Sequence, residues 1–219
     1  MSDDVARREN LKGGSRRGTS RLVIGLLIVI GAGLMFAQHL VRTNEWNNRA
    51  MCSNNLWRIG IALLQEAEDS RGDFPRGQTF AEAVNKLYES GYLDAEKGPI
   101  FICPSAKRDW EAWKRTGKIS EETCSYELVP GLNVNSPGEF ILACDKAGNH
   151  RQLKVLGVEL YPSMRVVVQV DITAWFLTEK AFQERMGWQR EMMTRMEEGG
   201  KVVEWDEWKE GKGGGDDIR

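Results

Sequence analysis

The chain has 219 residues, of which 41% are hydrophobic, and this length suits one ordinary domain beside a membrane segment. Its formal net charge of −2 is nearly neutral, and we predict no nucleic-acid partner. Its four cysteines contain no C-x-x-C spacing, which argues against a thioredoxin-like site and a compact zinc ribbon.

The N-terminal end is basic. Residues 1–20 are polar and rich in arginine and glycine, so we predict a disordered basic tail. Before the apolar segment that follows, the chain carries six basic and three acidic residues. On the far side of that segment the flank contains only Arg42 and Arg49, with Glu45 between them. The positive-inside rule therefore places the tail in the cytoplasm and residues 42–219 outside it.

An apolar segment of 20 residues without a formal charge extends from Leu22 to Val41. As a helix it would be about 30 Å long, which matches the hydrocarbon core of a bilayer. We predict a transmembrane helix over residues 21–42, because a single backbone in lipid satisfies its hydrogen bonds only as a helix. The run is longer than the apolar part of a usual signal peptide, and no clear cleavage motif follows it, so we expect an uncleaved anchor.

The helix is expected to continue beyond the membrane. Between Glu45 and Ser70 there is no proline, and apolar residues recur at steps of three and four, as in an amphipathic helix. That stripe consists of Leu56, Ile59, Leu63 and Ala67. Gly72 and Pro75 end the helix, because glycine favours the position after a helix and proline disfavours helix before it.

The remaining segments predict an α+β domain. We expect a second helix capped by Thr79, a short strand at Ile100–Cys103, a surface helix at 106–116, strands at 125–129, 139–145, 152–160 and 164–172, and a last helix at 179–197 capped by Thr178. Strands so close along the chain pair antiparallel. The expected fold is a long N-terminal helix, membrane-spanning in its first half, packed on an antiparallel β-sheet. The extracytoplasmic domain would cover residues 43–197, followed by a flexible tail at 198–219.

The sequence offers little catalytic chemistry. Its two histidines are His39, at the edge of the span, and His150, which follows a strand. One outer histidine does not build a histidine-based metal site alone. A metal or proton shared by Asp145 and His150 is an alternative, although a turn histidine bonded to its neighbours is the favoured interpretation. We predict no enzyme, no catalytic residue, no cofactor and no metal site.

All four cysteines lie on the predicted outer side, where disulfides form and persist. They are Cys52, Cys103, Cys124 and Cys144. Structural disulfides are the favoured interpretation, and buried reduced cysteines are the alternative. Four cysteines allow three full pairings, between which the sequence does not decide.

The order of elements resembles the type IV pilins and the pseudopilins of type II secretion. Within that group the chain is most similar to pilin-like proteins with a prepilin-type N-terminus, which are abundant in planctomycetes and their relatives. The motifs that carry this similarity cover roughly residues 50–185. They are Cys52 with Asn54-Asn55-Leu56 and Ile59-Gly60, then Phe74-Pro75, Gly91-Tyr92-Leu93, Phe101-Ile102-Cys103-Pro104-Ser105, Asp145 with Asn149-His150, and Asp171 with Trp175, Leu177, Thr178 and Phe182.

The resemblance implies a non-enzymatic, single-pass subunit of a cell-envelope assembly. It would lie in a bacterial inner membrane with its domain in the periplasm. Its partners would be the bilayer and other pilin-like subunits, met through the N-terminal helix. A prepilin peptidase would cleave between Gly18 and Thr19. Our hypothesis for the disulfides is that Cys52 pairs with Cys103 and Cys124 with Cys144.

Departures from the family pattern favour an alternative function. Val23 stands where the family carries a glutamate at the fifth mature position, and Arg21 would lie in the first turn of the span. That glutamate pairs with the N-terminal ammonium of a neighbouring subunit, so the registration device of the family is missing. The alternative is a membrane-anchored extracytoplasmic binding module that keeps the pilin-like fold and no longer assembles.

Overall fold

A computed structural model describes residues 3–75, 79–94, 98–150, 153–155 and 158–199; it describes side chains from residue 21 onward, except at 22 and 153–161. The chain divides into two compact units, Met1–Asn44 and Glu45–Arg219. The predicted tail at 198–219 lies outside the described residues from residue 200 onward.

The first unit belongs to helix α1, which runs over Asp3–Asp69. Residues 3–20, which we expected to be disordered, are part of this helix, and no proline interrupts the backbone before Pro75. Large hydrophobic side chains between Val23 and Val41 are 47–68% exposed. Among the described residues, α1 is the one helix long and apolar enough to cross a membrane, with a mean hydropathy of 2.1 in its most apolar stretch.

The part of α1 in the second unit is amphipathic. The predicted stripe of Leu56, Ile59, Leu63 and Ala67 is confirmed, since each of these side chains is at most 1% exposed. The helix ends at Asp69, and Gly72 terminates it as expected, since the Gly72 N–H donates to Ala67 O in the last turn at 2.6 Å. Gly72 has φ of +89°, a left-handed conformation that glycine adopts without steric cost.

Three shorter helices follow: α2 at Phe80–Glu89, α3 at Lys107–Thr116 and α4 at Glu179–Glu197. Both predicted N-caps are confirmed. The hydroxyl of Thr79 accepts from Glu82 N while the Glu82 carboxylate accepts from Thr79 N, which is a complete capping box. The hydroxyl of Thr178 accepts from Ala181 N.

The strands form two antiparallel sheets. They are β1 at Tyr126–Leu128, β2 at Ile141–Asp145, β3 at Leu153–Val155, β4 at Val158–Tyr161, β5 at Met164–Gln169 and β6 at Ala174–Thr178. Four strands are ordered β1-β2-β5-β6 in the main sheet, and β3 and β4 pair only with each other. The predicted α+β class, with a long apolar N-terminal helix and an antiparallel sheet, is confirmed.

Three strand predictions are wrong. Ile100–Cys103 forms turns, with Ile100 N donating to Gly98 O and Ile102 N donating to Pro99 O. The segment predicted as one strand at 152–160 is divided into the β3–β4 hairpin. The strand predicted to reach residue 172 stops at Gln169, because Ile172 adopts φ of +65° in a tight turn that leads to the unpredicted β6.

Both faces of the main sheet are covered. Val166 and Val168 of β5 belong to the large core cluster that contains the buried stripe of α1. Val167, between them, faces a smaller cluster with Phe182 of α4. This alternation follows from the two-residue period of a strand. Because both faces are covered, all five residues of β2 are buried, including a cysteine and an aspartate.

Candidate functional site

A buried polar cluster lies in the second unit, and we call it the His150 cluster. It consists of Glu45 and Cys52 of α1, Cys103 of the turns before α3, Asp145 at the end of β2, and His150. Four of these residues are 0% exposed, and the Glu45 side chain is 14% exposed. Polar side chains are seldom buried together without a specific reason, so the contacts of each member matter.

Helix periodicity places the α1 members. Glu45, Arg49 and Cys52 follow one another at steps of four and three, and Leu56 continues the same series. Residues at these steps share one helix face, so the polar members lie on the extension of the buried stripe. His150 is held from the other side, because its carbonyl accepts from Met164 N at 3.1 Å in an isolated β-bridge.

The imidazole of His150 lies at the centre of the cluster. Its Nδ1–H donates to Glu45 Oε1 at 2.8 Å. Its Nε2 lies 3.4 Å from Cys103 Sγ and 3.9 Å from Asp145 Oδ2. The ring therefore has a carboxylate on one side, and a thiol together with a second carboxylate on the other.

Glu45 is itself held in place. Ser105 Oγ donates to its Oε2 at 3.2 Å, and Arg49 Nε donates to its Oε1 at 3.4 Å. The Arg49 side chain is 1% exposed and also donates to Pro162 O at 2.8 Å and to Met164 Sδ at 3.0 Å. A charge buried this deeply needs such partners, and they fix the orientation of Glu45 toward the ring.

Asp145 is only partly satisfied. Its Oδ1 accepts from Val166 N at 2.8 Å and lies 3.9 Å from Arg165 Nε. Its Oδ2 is buried and accepts no hydrogen bond from any residue that the structure describes. A buried carboxylate oxygen without a partner is costly, so this atom indicates either a proton or a ligand at that position.

The two thiols of the cluster are neighbours. Cys52 Sγ, Cys103 Sγ and a ring nitrogen of His150 all lie within 4.8 Å of one another. Both cysteines are free thiols in the structure. The structure thus brings together the pair that we predicted to be bonded, and the Cys52–Cys103 disulfide stays a prediction.

The environment shifts the pKa of three members of the cluster. The hydrogen bond from Cys52, together with His150, lowers the pKa of Cys103 to about 6. Burial opposes the charged form of His150, but its hydrogen bonds to Cys103 and Glu45 outweigh this and raise its pKa to about 9. Burial raises the pKa of Asp145 to about 7. The cluster therefore favours a thiolate beside an imidazolium near neutral pH.

A thiolate–imidazolium pair suits a nucleophile, a disulfide or a metal ligand set. Because the thiols and the ring are 0% exposed, no substrate reaches them without opening of the fold. Asp145 and His150 were predicted as possible neighbours from the sequence, whereas Glu45, Arg49 and Ser105 were not predicted. The spacing of Glu45, Arg49 and Cys52 on one helix face was the available signal.

The other predicted pair is not brought together. Cys124 belongs to the large core cluster, whereas Cys144 belongs to the smaller cluster with Phe182 on the opposite face of the sheet. Both are free thiols, and burial raises the pKa of each to about 12. The two side chains belong to different clusters, and the Cys124–Cys144 disulfide stays a prediction.

The predicted processing site lies in α1. Gly18 and Thr19 are part of the helical backbone, and their side-chain surroundings lie outside the described residues. Cleavage between them stays a prediction.

A cleft of about 530 Å³ lies apart from the cluster. Its aromatic lining comes from Tyr88, Phe101 and Trp113, and the rings of Phe101 and Trp113 meet edge to face with centroids 5.1 Å apart. Trp110 and Trp113 both pack against the core of the domain. The volume lies within the range of small-molecule sites.

Comparison with protein-family models, with curated protein sequences and with solved structures found no match to this chain. The resemblance to pilin-like proteins stays a prediction.

Proposed function

We propose that this chain is a non-enzymatic, single-span subunit of a bacterial cell-envelope assembly related to type II secretion or to type IV pili. The observation that carries the proposal is the composition of α1. One part of this helix bears exposed apolar side chains, and another bears a buried stripe against the antiparallel sheet. The motifs shared with pilin-like proteins lead to the same layout.

The apolar part of α1 requires a cover. Twelve large hydrophobic side chains between Val23 and Val41 are exposed. Burying each of them fully is worth about 1.5–3 kcal/mol. Leaving all of them in contact with water is therefore strongly unfavourable. A bilayer, or the helices of neighbouring subunits within it, provides such a cover.

Crosslinking in the native membrane tests the assembly. A photoreactive amino acid is placed in the full chain at Leu27 or at Leu34, both about 60% exposed. We expect crosslinks to a second copy or to another subunit with a similar helix. Trp175 on β6, which is 55% exposed, is the matched control position and should give none of these products. Crosslinks to lipid alone at both helix positions contradict the proposal.

The mass of the native chain tests the processing step. A chain that begins at Thr19 supports a subunit accepted by a prepilin peptidase. A chain that retains residues 1–18, and gives no subunit crosslinks, instead supports the second candidate function.

That second candidate is a membrane-anchored binding module with a pilin-like fold. Two observations favour it: Val23 replaces the glutamate of the family pattern, and the cleft with Tyr88, Phe101 and Trp113 suits a small ligand. Its test is the response of the full chain to a panel of small aromatic and carbohydrate compounds, with Trp113→Ala as the variant that should lose any binding. Unchanged binding in that variant argues against the cleft.

A further inference from the structure

We propose that Cys52, Cys103, His150 and Asp145 form a binding site for a divalent transition metal of the zinc class. This inference goes beyond the proposed function, because it concerns the interior of the second unit and not the helix that would assemble. Two thiolates, one imidazole and one carboxylate are a ligand set that zinc takes in proteins.

The distances suit a tetrahedral ion. With Zn–S near 2.3 Å and Zn–N near 2.0–2.1 Å, neighbouring ligand atoms of a tetrahedron lie about 3.3–3.8 Å apart. His150 Nε2 lies 3.4 Å from Cys103 Sγ and 3.9 Å from Asp145 Oδ2. Cys52 Sγ is within 4.8 Å of both the other thiol and the ring. Side-chain movements of about 1 Å would bring the atoms of Cys52, Cys103 and His150 to these spacings, and Asp145, next to Nε2, is the fourth ligand.

The ring orientation of His150 is already the one that a metal needs. Its Nδ1–H donates to Glu45 Oε1 at 2.8 Å, so Nε2 faces Cys103 and Asp145, and a metal ion would replace the Nε2 proton of the imidazolium. A carboxylate behind the imidazole is the common support of zinc-bound histidine, because it orients the ring and raises its basicity. Ser105 and Arg49 hold that carboxylate in turn.

The unpartnered oxygen of Asp145 supplies the independent indication. Asp145 Oδ2 is buried without a hydrogen bond from any described residue, and it lies 3.9 Å from the same Nε2 that Cys103 Sγ approaches. A metal ion at this point would satisfy the oxygen and the thiolates together. The guanidinium of Arg165, 3.9 Å from Asp145 Oδ1, offsets part of the negative charge of the ligand set.

A disulfide between Cys52 and Cys103 uses the same two sulfur atoms and excludes the metal. It would leave Asp145 Oδ2 without the partner that the ion provides. In the oxidising compartment that the charge pattern predicts, the two outcomes compete directly. The state of these thiols in the native protein therefore decides between them.

The test uses the full chain in detergent, reduced and stripped of metal by a chelator, and then titrated with Co²⁺ and Zn²⁺. We expect one equivalent of Co²⁺ per chain, with thiolate-to-cobalt charge-transfer absorption and the strong visible bands of tetrahedral cobalt, both displaced by Zn²⁺. Cys52→Ser should remove the charge-transfer signal of its sulfur and weaken binding. Cys124→Ser, an equally buried cysteine outside the cluster, should change neither.

Conservative variants keep the test decisive if a cysteine variant does not fold. Glu45→Gln preserves the shape of the side chain that supports the imidazole, and it should weaken Co²⁺ binding about 10- to 100-fold. Asp145→Asn should weaken it and shift the visible bands. The absence of Co²⁺ uptake by the reduced wild-type chain overturns the proposal. So does a Cys52–Cys103 disulfide in chains taken from native membranes with their thiols blocked at lysis.

Discussion

The backbone of Ile141 depends on a single side chain. Ile141 N donates to Gln189 Oε1 at 2.7 Å, and Gln189 Nε2 donates to Ile141 O at 3.0 Å. Both residues are 0% exposed. Water therefore does not reach the N–H and C=O groups of Ile141, and the side-chain amide of Gln189 provides their hydrogen bonds. The β2–β5 register shifts between Ile141 and Ala143, and α4 supplies the hydrogen bonds to Ile141 beside that irregularity.

Replacing the Gln189 amide should lower the free energy of unfolding. Gln189→Leu keeps a similar volume but leaves a buried N–H and a buried C=O unpaired, at about 1–3 kcal/mol each. We expect a loss of about 2–5 kcal/mol in the free energy of unfolding, measured by denaturant titration of the full chain in detergent. Gln183→Leu, the same change at an exposed position of α4, should shift it by less than about 0.5 kcal/mol. Equal effects of the two variants would contradict this assignment.

The cysteines outside the His150 cluster should be inert in the folded protein. Burial raises the pKa of Cys124 and Cys144 to about 12, so both stay protonated until the pH approaches that value. We expect neither to react with iodoacetamide at pH 8 in the native chain. Both should react after denaturation without a reductant, as mass spectrometry of peptides would show. Protection that persists in denaturant and disappears on reduction would instead reveal the predicted Cys124–Cys144 disulfide.

The approach of α1 to the sheet depends on Gly60. A Cβ atom at this position would lie 3.1 Å from Val168 Cγ2, which is tighter than ordinary packing. Gly60→Leu should therefore lower the free energy of unfolding by about 1–3 kcal/mol or more, through overpacking between helix and strand. Gly187→Leu is the control, since a Cβ atom at that position of α4 would meet nothing within 4 Å outside its own helix turn, and helix propensity improves. If both variants were equally stable, Gly60 would not be a contact point.

At the scale of elements, the sequence predicts helices better than strands. The capping residues Thr79 and Thr178 act within one turn of the chain, and their effect is therefore visible in the local pattern. The strand errors arise from contacts that the local pattern does not contain. Residues 100–103 are apolar because they fill the core as turns, and β6 is recognisable only through its pairing with β5.

At the scale of the molecule, the class of fold was predictable and the His150 cluster was only partly so. Its five members span more than 100 residues of sequence, from Glu45 to His150, and each is unremarkable in its own segment. Their convergence depends on the packing of α1 beneath the sheet. The one local signal is the spacing of three polar residues along a helix face. It indicates a polar cluster only when the residues that pack against that face are known.

The membrane assignment gives the largest testable effect. Twelve Leu, Ile, Val and Phe residues lie between positions 22 and 41. At about 0.3–0.6 kcal/mol each they favour insertion by about 4–7 kcal/mol, whereas one arginine at the centre of a span costs about 2.5–3.5 kcal/mol. The double variant Ile28→Arg, Leu34→Arg should therefore cancel insertion and move the chain out of the fraction that resists alkaline extraction.

The control carries the same added charge elsewhere. Met51 and Met196 are 57% and 40% exposed in the second unit, and Met51→Arg with Met196→Arg should leave the chain in the membrane fraction. A difference between the two double variants then follows from the position of the charge and not from its amount. If the helix variant stayed in the membrane fraction as fully as the control, the apolar part of α1 would not be the anchor. Its exposed side chains would instead need a protein partner as their cover.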